Sequence, residues 1–302
     1  MDTKLRFYLE SMRLRTLPLS VSGIIMGGML ATSRLQWDTG VFSWALLTAL
    51  SLQILSNIAN ELGDLQKGTD NEHRLGPIRS VQRGKLTEKN LSRFLLVFIV
   101  LSALFGLCLI WTAFDSFLSI QSWIMILLGS LTIVAAIKYT FGQNAYGYIG
   151  LGDLFVFIFF GIVSVVGVYF LMAKSIYLSI FLPASSIGLL STAMLNQNNM
   201  RDIDNDTNFK KKTLAGRMGL KSAKVYHFAL ITLAFVLMSI YSIIQKMNAF
   251  GYLYVLTFPV FAWHLHSVFG NEGKTLDKQM KVISIGTILF SLAGGIGFVL
   301  GR

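Results

Sequence analysis

Nine apolar runs, each about as long as a bilayer core is thick, constrain this chain more than any other feature. They fall at 17–32, 41–59, 94–113, 120–139, 151–173, 176–195, 225–245, 250–268 and 282–300. A helix needs roughly 20 apolar residues to cross the hydrocarbon. Inside it, backbone polar groups must be satisfied within the segment, so continuous runs of this length read as helices rather than strands. The expected fold is all-α: a polytopic membrane protein with nine transmembrane helices in one bundle, a single domain over residues 1–302. Hydrophobic residues make up 54% of the chain and charged residues only 14%, which leaves no room for a separate soluble domain. Cys108 is the only cysteine, so neither a disulfide framework nor a thiolate metal site is expected.

The first run follows Lys4, Arg6, Arg13 and Arg15, as a secretory leader would follow its basic start. No small-residue cleavage site and no soluble mature chain come after it, so it is expected to remain as the first span. Its Gly23, Gly27 and Gly28 suit close helix contact. The Lys and Arg residues then orient the chain. With the N-terminus in the cytoplasm, 22 of the 26 fall inside, and only Arg34, Lys174, Lys246 and Arg302 fall outside. Trp37, Trp44, Trp111 and Trp123 sit near outer span ends, where interfacial anchors belong. The net charge of +11 is thus a topology signal and implies no nucleic-acid partner.

Acids are scarce in this chain, and six of the fifteen lie in two short patches at inner span ends. The first is Asn57-Ile58-Ala59-Asn60-Glu61-Leu62-Gly63-Asp64, continuing to Asp70; the second is Asn198-Asn199-Met200-Arg201-Asp202-Ile203-Asp204-Asn205-Asp206. If each patch continues the helix before it, Asn57, Glu61 and Asp64 share one face, as do Asn198, Asp202 and Asp206. Each helix then presents a ladder of oxygen ligands. Such ladders suit Mg²⁺, which is commonly held by a few carboxylates together with substrate phosphates. Basic residues follow both patches: Lys67, Arg74, Arg79, Arg83 and Lys85 after the first, and Lys210, Lys211, Lys212, Arg217 and Lys221 after the second. Acids that gather Mg²⁺ beside bases that grip phosphate are the parts needed to bind a diphosphate and stabilise it as a leaving group.

Paired patches four spans apart, in a nine-span chain, resemble the UbiA superfamily of intramembrane prenyltransferases. Within it, Asn60-Glu61-Leu62-Gly63-Asp64, Lys67-Gly68-Thr69-Asp70 and Gly76-Pro77 resemble the 1,4-dihydroxy-2-naphthoate polyprenyltransferase branch. Arg13-Leu14-Arg15-Thr16-Leu17-Pro18, Lys138-Tyr139-Thr140, Gly150-Leu151-Gly152-Asp153 and Lys212-Thr213-Leu214-Ala215 with Arg217 also match. Glu61 departs from the superfamily's usual Asn-Asp opening, lengthening the acid by one methylene. Gly68 stands where the general pattern has its last acid, and Asp70 takes the branch's spacing instead. Leu14 replaces a common proline.

The resemblance implies Mg²⁺ as cofactor, held by Glu61, Asp64, Asp202 and Asp206 with Asn198 assisting. It implies binding of polyprenyl diphosphate and 1,4-dihydroxy-2-naphthoate by Asn57, Asn60, Lys67, Arg74, Arg201, Lys212, Arg217, Arg13 and Lys138. Asp64, Asp202, Asp70, Asp153 and Tyr139 are the implied catalytic group, Tyr139 through its ring face. The implied reaction joins the prenyl group to the ring with loss of carbon dioxide and diphosphate, giving demethylmenaquinol, at a bacterial cytoplasmic membrane. Two other readings stay open: a relative acting on 4-hydroxybenzoate, homogentisate or haem, and an ion-coupled transporter. Transporters tend to bury ionisable groups near the bilayer midplane, whereas these acids lie at span ends. His264 and His266 are two residues apart, on different helix faces, and do not form a metal pair.

Overall fold

The computed structural model describes residues 3–71, 75–77, 79–81, 83–84, 86–143 and 145–302. Arg74 and Lys85, both expected near the first patch, lie outside the described residues. Among the described residues the secondary structure is entirely helical, with nine stretches long and apolar enough to cross a membrane. The chain is therefore a multi-pass membrane protein, as the nine runs require.

A short helix α1 (Thr3–Met12) leads through Arg13, in the left-handed region at φ 50°, into a turn at Leu14–Thr16 and then α2 (Leu17–Thr32). Three long helices follow: α3 (Thr39–Gln66), α4 (Glu88–Phe114) and α5 (Ile120–Lys138). Side chains fix where they begin. Asp38 accepts from the Val41 amide at 2.9 Å, Thr87 from Asn90 at 3.2 Å and Ser119 from Ser122 at 3.1 Å, each capping an amide the helix leaves unpaired.

The fifth span is not a uniform α-helix. Its α6 (Gly152–Val156) and α7 (Gly167–Ala173) flank a π-helical segment, Phe157–Val166. Gly27 packs α2 against that segment: a Cβ there would lie 2.5 Å from the Val165 carbonyl, so only glycine permits the approach. The remaining elements are α8 (Phe181–Arg201), α9 (Ile203–Asn208), α10 (Leu214–Ile244), α11 (Phe258–Gly270) and α12 (Asp277–Leu300). α8 is the central helix, packed on α10, α12 and the π-helical segment. α12 also packs along α2, where the Ser291 hydroxyl donates to the Ser22 carbonyl at 2.6 Å.

Helix length places the first patch. At about 1.5 Å per residue, the 28 residues of α3 outrun the roughly 30 Å of a hydrocarbon core. Its last turns, from Asn57 to Gln66, therefore carry polar groups beyond the apolar wall. The second patch differs from the expectation. α8 stops at Arg201, and Asp202 (φ −103°, ψ 15°) breaks the helix before α9 resumes. Asp202 bonds to both sides of the break, its amide donating to the Asn198 carbonyl at 3.3 Å and its carbonyl accepting from the Asp206 amide at 2.8 Å.

Candidate active site

The two acidic patches meet. Asn205 Nδ2 donates to the Thr69 carbonyl at 2.9 Å, and Asn71 Nδ2 donates to Asn205 Oδ1 at 2.9 Å. These contacts join residues more than 130 positions apart, and Asp64 and Lys211 of the joined segments line a cavity of about 350 Å³. The chamber is polar at one end, its head, where Arg13, Asn57, Asn60, Asp64, Asn198 and Lys211 line it. Below, its walls are apolar, with Leu52, Leu109 and Met125 among the aliphatic residues and Phe155, Phe159 and Phe160 among the aromatic ones.

Lys211 occupies the centre of the head. Its Nζ lies 3.5 Å from Asp206 Oδ1 and 4.0 Å from Asp64 Oδ1, so one ammonium bridges one carboxylate from each patch. Tyr148 holds the Asp64 side of this arrangement, its hydroxyl donating to Asp64 Oδ1 at 2.8 Å and meeting Thr69 Oγ1 at 2.6 Å. Burial first, and Asp64 second, push the Tyr148 phenol well above its ordinary pKa, so it remains a donor. Lys67 Nζ sits 3.8 Å above the same ring. Burial lowers its pKa while Asp64 opposes the shift.

The other acids are engaged differently. Glu61 is buried but does not line the chamber; its Oε1 accepts from the Ser80 amide at 3.1 Å and from the Ser80 hydroxyl. The expected ladder of Asn57, Glu61 and Asp64 is instead Gln53, Asn57, Asn60 and Asp64. A step of three turns about 60° one way and a step of four about 40° the other, so spacing alone leaves Asn60 and Glu61 equally placed. The loop carrying Ser80 decides between them. Asn60 Oδ1 accepts from Thr140 Oγ1 at 3.2 Å, where α5 ends against Gly63; a Cβ on Gly63 would lie 2.5 Å from that hydroxyl. Asn57 also ties in the N-terminal segment, donating to the Met12 carbonyl at 2.8 Å and Thr16 Oγ1 at 3.0 Å.

Asp202 meets Arg201, whose Nε donates to Oδ1 at 3.0 Å and whose Nη2 contacts Oδ2. Arg201 is 2% exposed and bonds Asn198 Oδ1 and Asp277 as well. Its guanidinium is thus an internal clamp, which corrects its expected role as a phosphate grip. Asp70 pairs with Arg79, Nε to Oδ2 at 3.1 Å, and Arg79 rather than Asp70 lines the chamber.

Three expected substrate contacts also fall elsewhere. The Lys212 side chain is exposed, and its backbone amide donates to the Tyr148 carbonyl at 3.0 Å. Arg217 Nη2 donates to the Ile149 carbonyl at 2.8 Å, clamping a turn outside the chamber. Lys138 is exposed and does not line the chamber. Tyr139 does line it, edge-on to Tyr146 at 5.3 Å, and Tyr146 stacks on Phe155 at 4.0 Å. Burial, and then Asp153, push the Tyr139 phenol far up, so it stays neutral. Asp153 is buried but does not line the chamber; among the described residues its Oδ2 accepts no hydrogen bond.

Spacing gave no cue to Tyr148, nor to the reach of Lys211 beyond its neighbour Asp206 to Asp64, since both contacts with Asp64 are tertiary. The histidines likewise pair at long range: His264 Nε2 lies 2.9 Å from His227 Nε2, both fully buried and neither lining the chamber.

The head fits Mg²⁺ on the chemistry of its donors. An ammonium held between Asp64 and Asp206 marks a cation position, and Asn60 and Asn198 also line the wall, their carboxamide oxygens each accepting a hydrogen bond, from Thr140 and Arg201 respectively. Among the described residues no three His, Cys, Asp or Glu side chains form a metal cage of their own. The expected set of Glu61, Asp64, Asp202 and Asp206 is therefore not assembled, since Ser80 holds Glu61 and Arg201 holds Asp202.

An apolar chamber among membrane helices, with Asp64, Lys211 and Asn198 at its polar end, is consistent with the intramembrane prenyltransferase class that comparison with known proteins shows. The UbiA prenyltransferase family model matches residues 20–287, and the chain belongs to that family. It is similar to the 1,4-dihydroxy-2-naphthoate octaprenyltransferase of Escherichia coli (strain K12), 41% identical over 296 residues, covering 98% of this chain and 96% of that protein. The protein of the same name from Haemophilus influenzae is 40% identical over 303 residues, 98% of each chain. Among solved structures, a UbiA homolog from Aeropyrum pernix K1 shares the fold with a TM-score of 0.65 at 15% identity, covering 91% of this chain and 96% of that one. A UbiA homolog from Archaeoglobus fulgidus bound to DMAPP and Mg²⁺ has a TM-score of 0.64 at 13% identity, with both chains fully covered.

Proposed function

We propose that this protein, acting as a single domain, transfers a polyprenyl group from a polyprenyl diphosphate to 1,4-dihydroxy-2-naphthoate. Diphosphate and carbon dioxide leave, and demethylmenaquinol forms. The observation that carries this reading is Asp64 and Lys211 together on the polar end of an apolar chamber, with Asp206 paired to Lys211 behind the wall. The acceptor follows from near-full-length likeness to proteins named for that reaction. The cation asymmetry supports a cytoplasmic N-terminus in a bacterial inner membrane, with the chamber head on the cytoplasmic side.

In this reading Lys211 and Arg13 grip the diphosphate oxygens. Asp64 and Asp206, with Asn60 and Asn198, would hold Mg²⁺, which when bound supplies Lewis-acid stabilisation of the leaving diphosphate. Glu61, Asp70 and Asp202 serve one remove away: Glu61 anchors the Ser80 loop, Asp70 holds Arg79 at the wall, and Asp202 pairs with Arg201. As the allylic C–O bond breaks, its electron pair goes to diphosphate and the prenyl carbon becomes cationic. The faces of Tyr139, Tyr146 and Phe155 stabilise that charge, and the apolar walls exclude water that would quench it. The ring carbon bearing the carboxylate attacks, forming a C–C bond. Loss of carbon dioxide then returns its electron pair to the ring.

The test is turnover by the purified protein in lipid, with a polyprenyl diphosphate and either 1,4-dihydroxy-2-naphthoate or 4-hydroxybenzoate, with and without Mg²⁺. Prenylated naphthoquinol with equimolar carbon dioxide, dependent on Mg²⁺, is the expected result. Product from 4-hydroxybenzoate alone would refute the acceptor, and no product from any aromatic would refute the reaction.

A further inference from the structure

The chamber wall holds an arginine that neither acidic patch explains. Arg15 belongs to the turn before α2 and lines the chamber. Its guanidinium meets Asp277, the first residue of α12, through Nη1 alone, at 3.1 Å from Oδ1 and 3.0 Å from Oδ2. A guanidinium carries five N–H donors. The pairing therefore occupies one corner and leaves the rest for a ligand.

Asp277 is held from its other side by Arg201, whose Nη1 contacts the same Oδ1. The Arg201 side chain is fully enclosed and further fixed by Asp202, Asn198 and Met280. One carboxylate thus joins an immobile buried guanidinium to a partly exposed one at the chamber wall; the Arg15 side chain is 29% exposed. α12 fixes the same turn a second time, since the Ser284 hydroxyl donates to the Arg15 carbonyl at 2.9 Å. Asp277 and Ser284 stand two turns apart on one helix face, with Met280 between them also lining the chamber.

We propose that Asp277 is a positioning residue that holds Arg15 as a diphosphate-binding side chain, using Arg201 as its anchor. The proposal rests on the reading of the chamber as a prenyl diphosphate site and is independent of which aromatic acceptor is used. Arg15, Asp277, Arg201 and Asp202 together carry no net charge, so this quartet is neutral until an anion arrives. A diphosphate then displaces only water from the open edge of Arg15. Because the long side chain is ordered in the folded protein, that ordering is not charged against binding.

The experiment uses the full-length protein and the variants Asp277→Asn, Asp277→Glu, Arg15→Gln and the Asp277→Asn/Arg15→Gln pair. Calorimetric binding of inorganic diphosphate with Mg²⁺ is measured beside KM for prenyl diphosphate and for acceptor, and ligand-free melting is recorded for each variant. Asp277→Asn is expected to weaken diphosphate binding and raise the prenyl diphosphate KM about tenfold, the effect of losing one charge-assisted contact. Its acceptor KM should stay within about twofold of wild type. Asp277→Glu should recover most of the loss, and the double variant should be no worse than Arg15→Gln alone. Unchanged diphosphate binding in Asp277→Asn overturns the proposal, as do losses that multiply in the double variant. Should Asp277→Asn melt early, Arg15→Gln carries the test, because it leaves the Asp277–Arg201 pair in place; unaltered binding there is equally fatal. A wild type that binds diphosphate but prenylates no aromatic refutes the proposed reaction and leaves this proposal standing. One that binds no diphosphate overturns both.

Discussion

The two acidic patches look alike in sequence and are wired differently. Each contributes one carboxylate to the Lys211 bridge, Asp64 from the first and Asp206 from the second. Each also commits acids away from the chamber; Asp70 pairs with Arg79 much as Asp202 pairs with Arg201, and the patches part at Glu61. Glu61 is held by neutral donors of Ser80, whereas Asp202 is held by the buried cation Arg201. A carboxylate on neutral donors keeps its negative charge in the local field; one paired with a guanidinium is cancelled. The first patch keeps Glu61 on neutral donors and carries Lys67 over the Tyr148 ring, while Lys211 sits nearer the second patch, 3.5 Å from Asp206 against 4.0 Å from Asp64. The second is the more rigid, tied through Arg201 to the start of α12.

Mutations can break this comparison. The largest effect is expected at the shared bridge: Asp64→Asn and Asp206→Asn should each lower kcat/KM by about a thousandfold while the protein still inserts in the membrane. Turnover near wild type in either would remove the bridge from the site. Next comes Asp202→Asn, which strips one carboxylate from a buried cation. A loss of about 3 kcal/mol in detergent unfolding is expected, and an unaltered midpoint would show that Arg201 does not need it. Glu61→Gln keeps an oxygen for both Ser80 donors, so only about 1 kcal/mol should be lost. Equal destabilisation by these two variants would erase the distinction between the patches. The lysine pair sharpens it further, since Lys211→Met should cost roughly tenfold in prenyl diphosphate KM and Lys212→Met should leave steady-state kinetics within about twofold. A reversed order would mean that the exposed lysine grips the substrate.

Some of this was legible from residue order because it is local. Apolar run length fixes helix and span together, since hydrocarbon leaves the backbone no other partner. Cation placement follows insertion rather than tertiary contact. Hence the nine spans could be read directly, and so could the two acid-bearing segments that the structure brings into contact through Asn205 and Thr69. Asp277 left a faint trace as well, an acid at the edge of a span amid Lys274, Lys278 and Lys281.

Partner choice was not legible. Asn60 and Glu61 flank the same helical direction, and only the Ser80 loop, nineteen residues on, takes Glu61 out of the chamber. Lys211 and Lys212 are neighbours, yet the turn after α9 points the first between two carboxylates and exposes the second. Arg201 reads as a phosphate grip until Asp277, 76 residues later, closes on it. The sequence by itself determined which segments cross the membrane and where polar groups collect at their ends, because solvent and backbone hydrogen bonding act residue by residue. Only the tertiary structure decided which of those groups are consumed holding one another and which remain at the chamber wall, because that depends on distances between chain segments far apart in sequence.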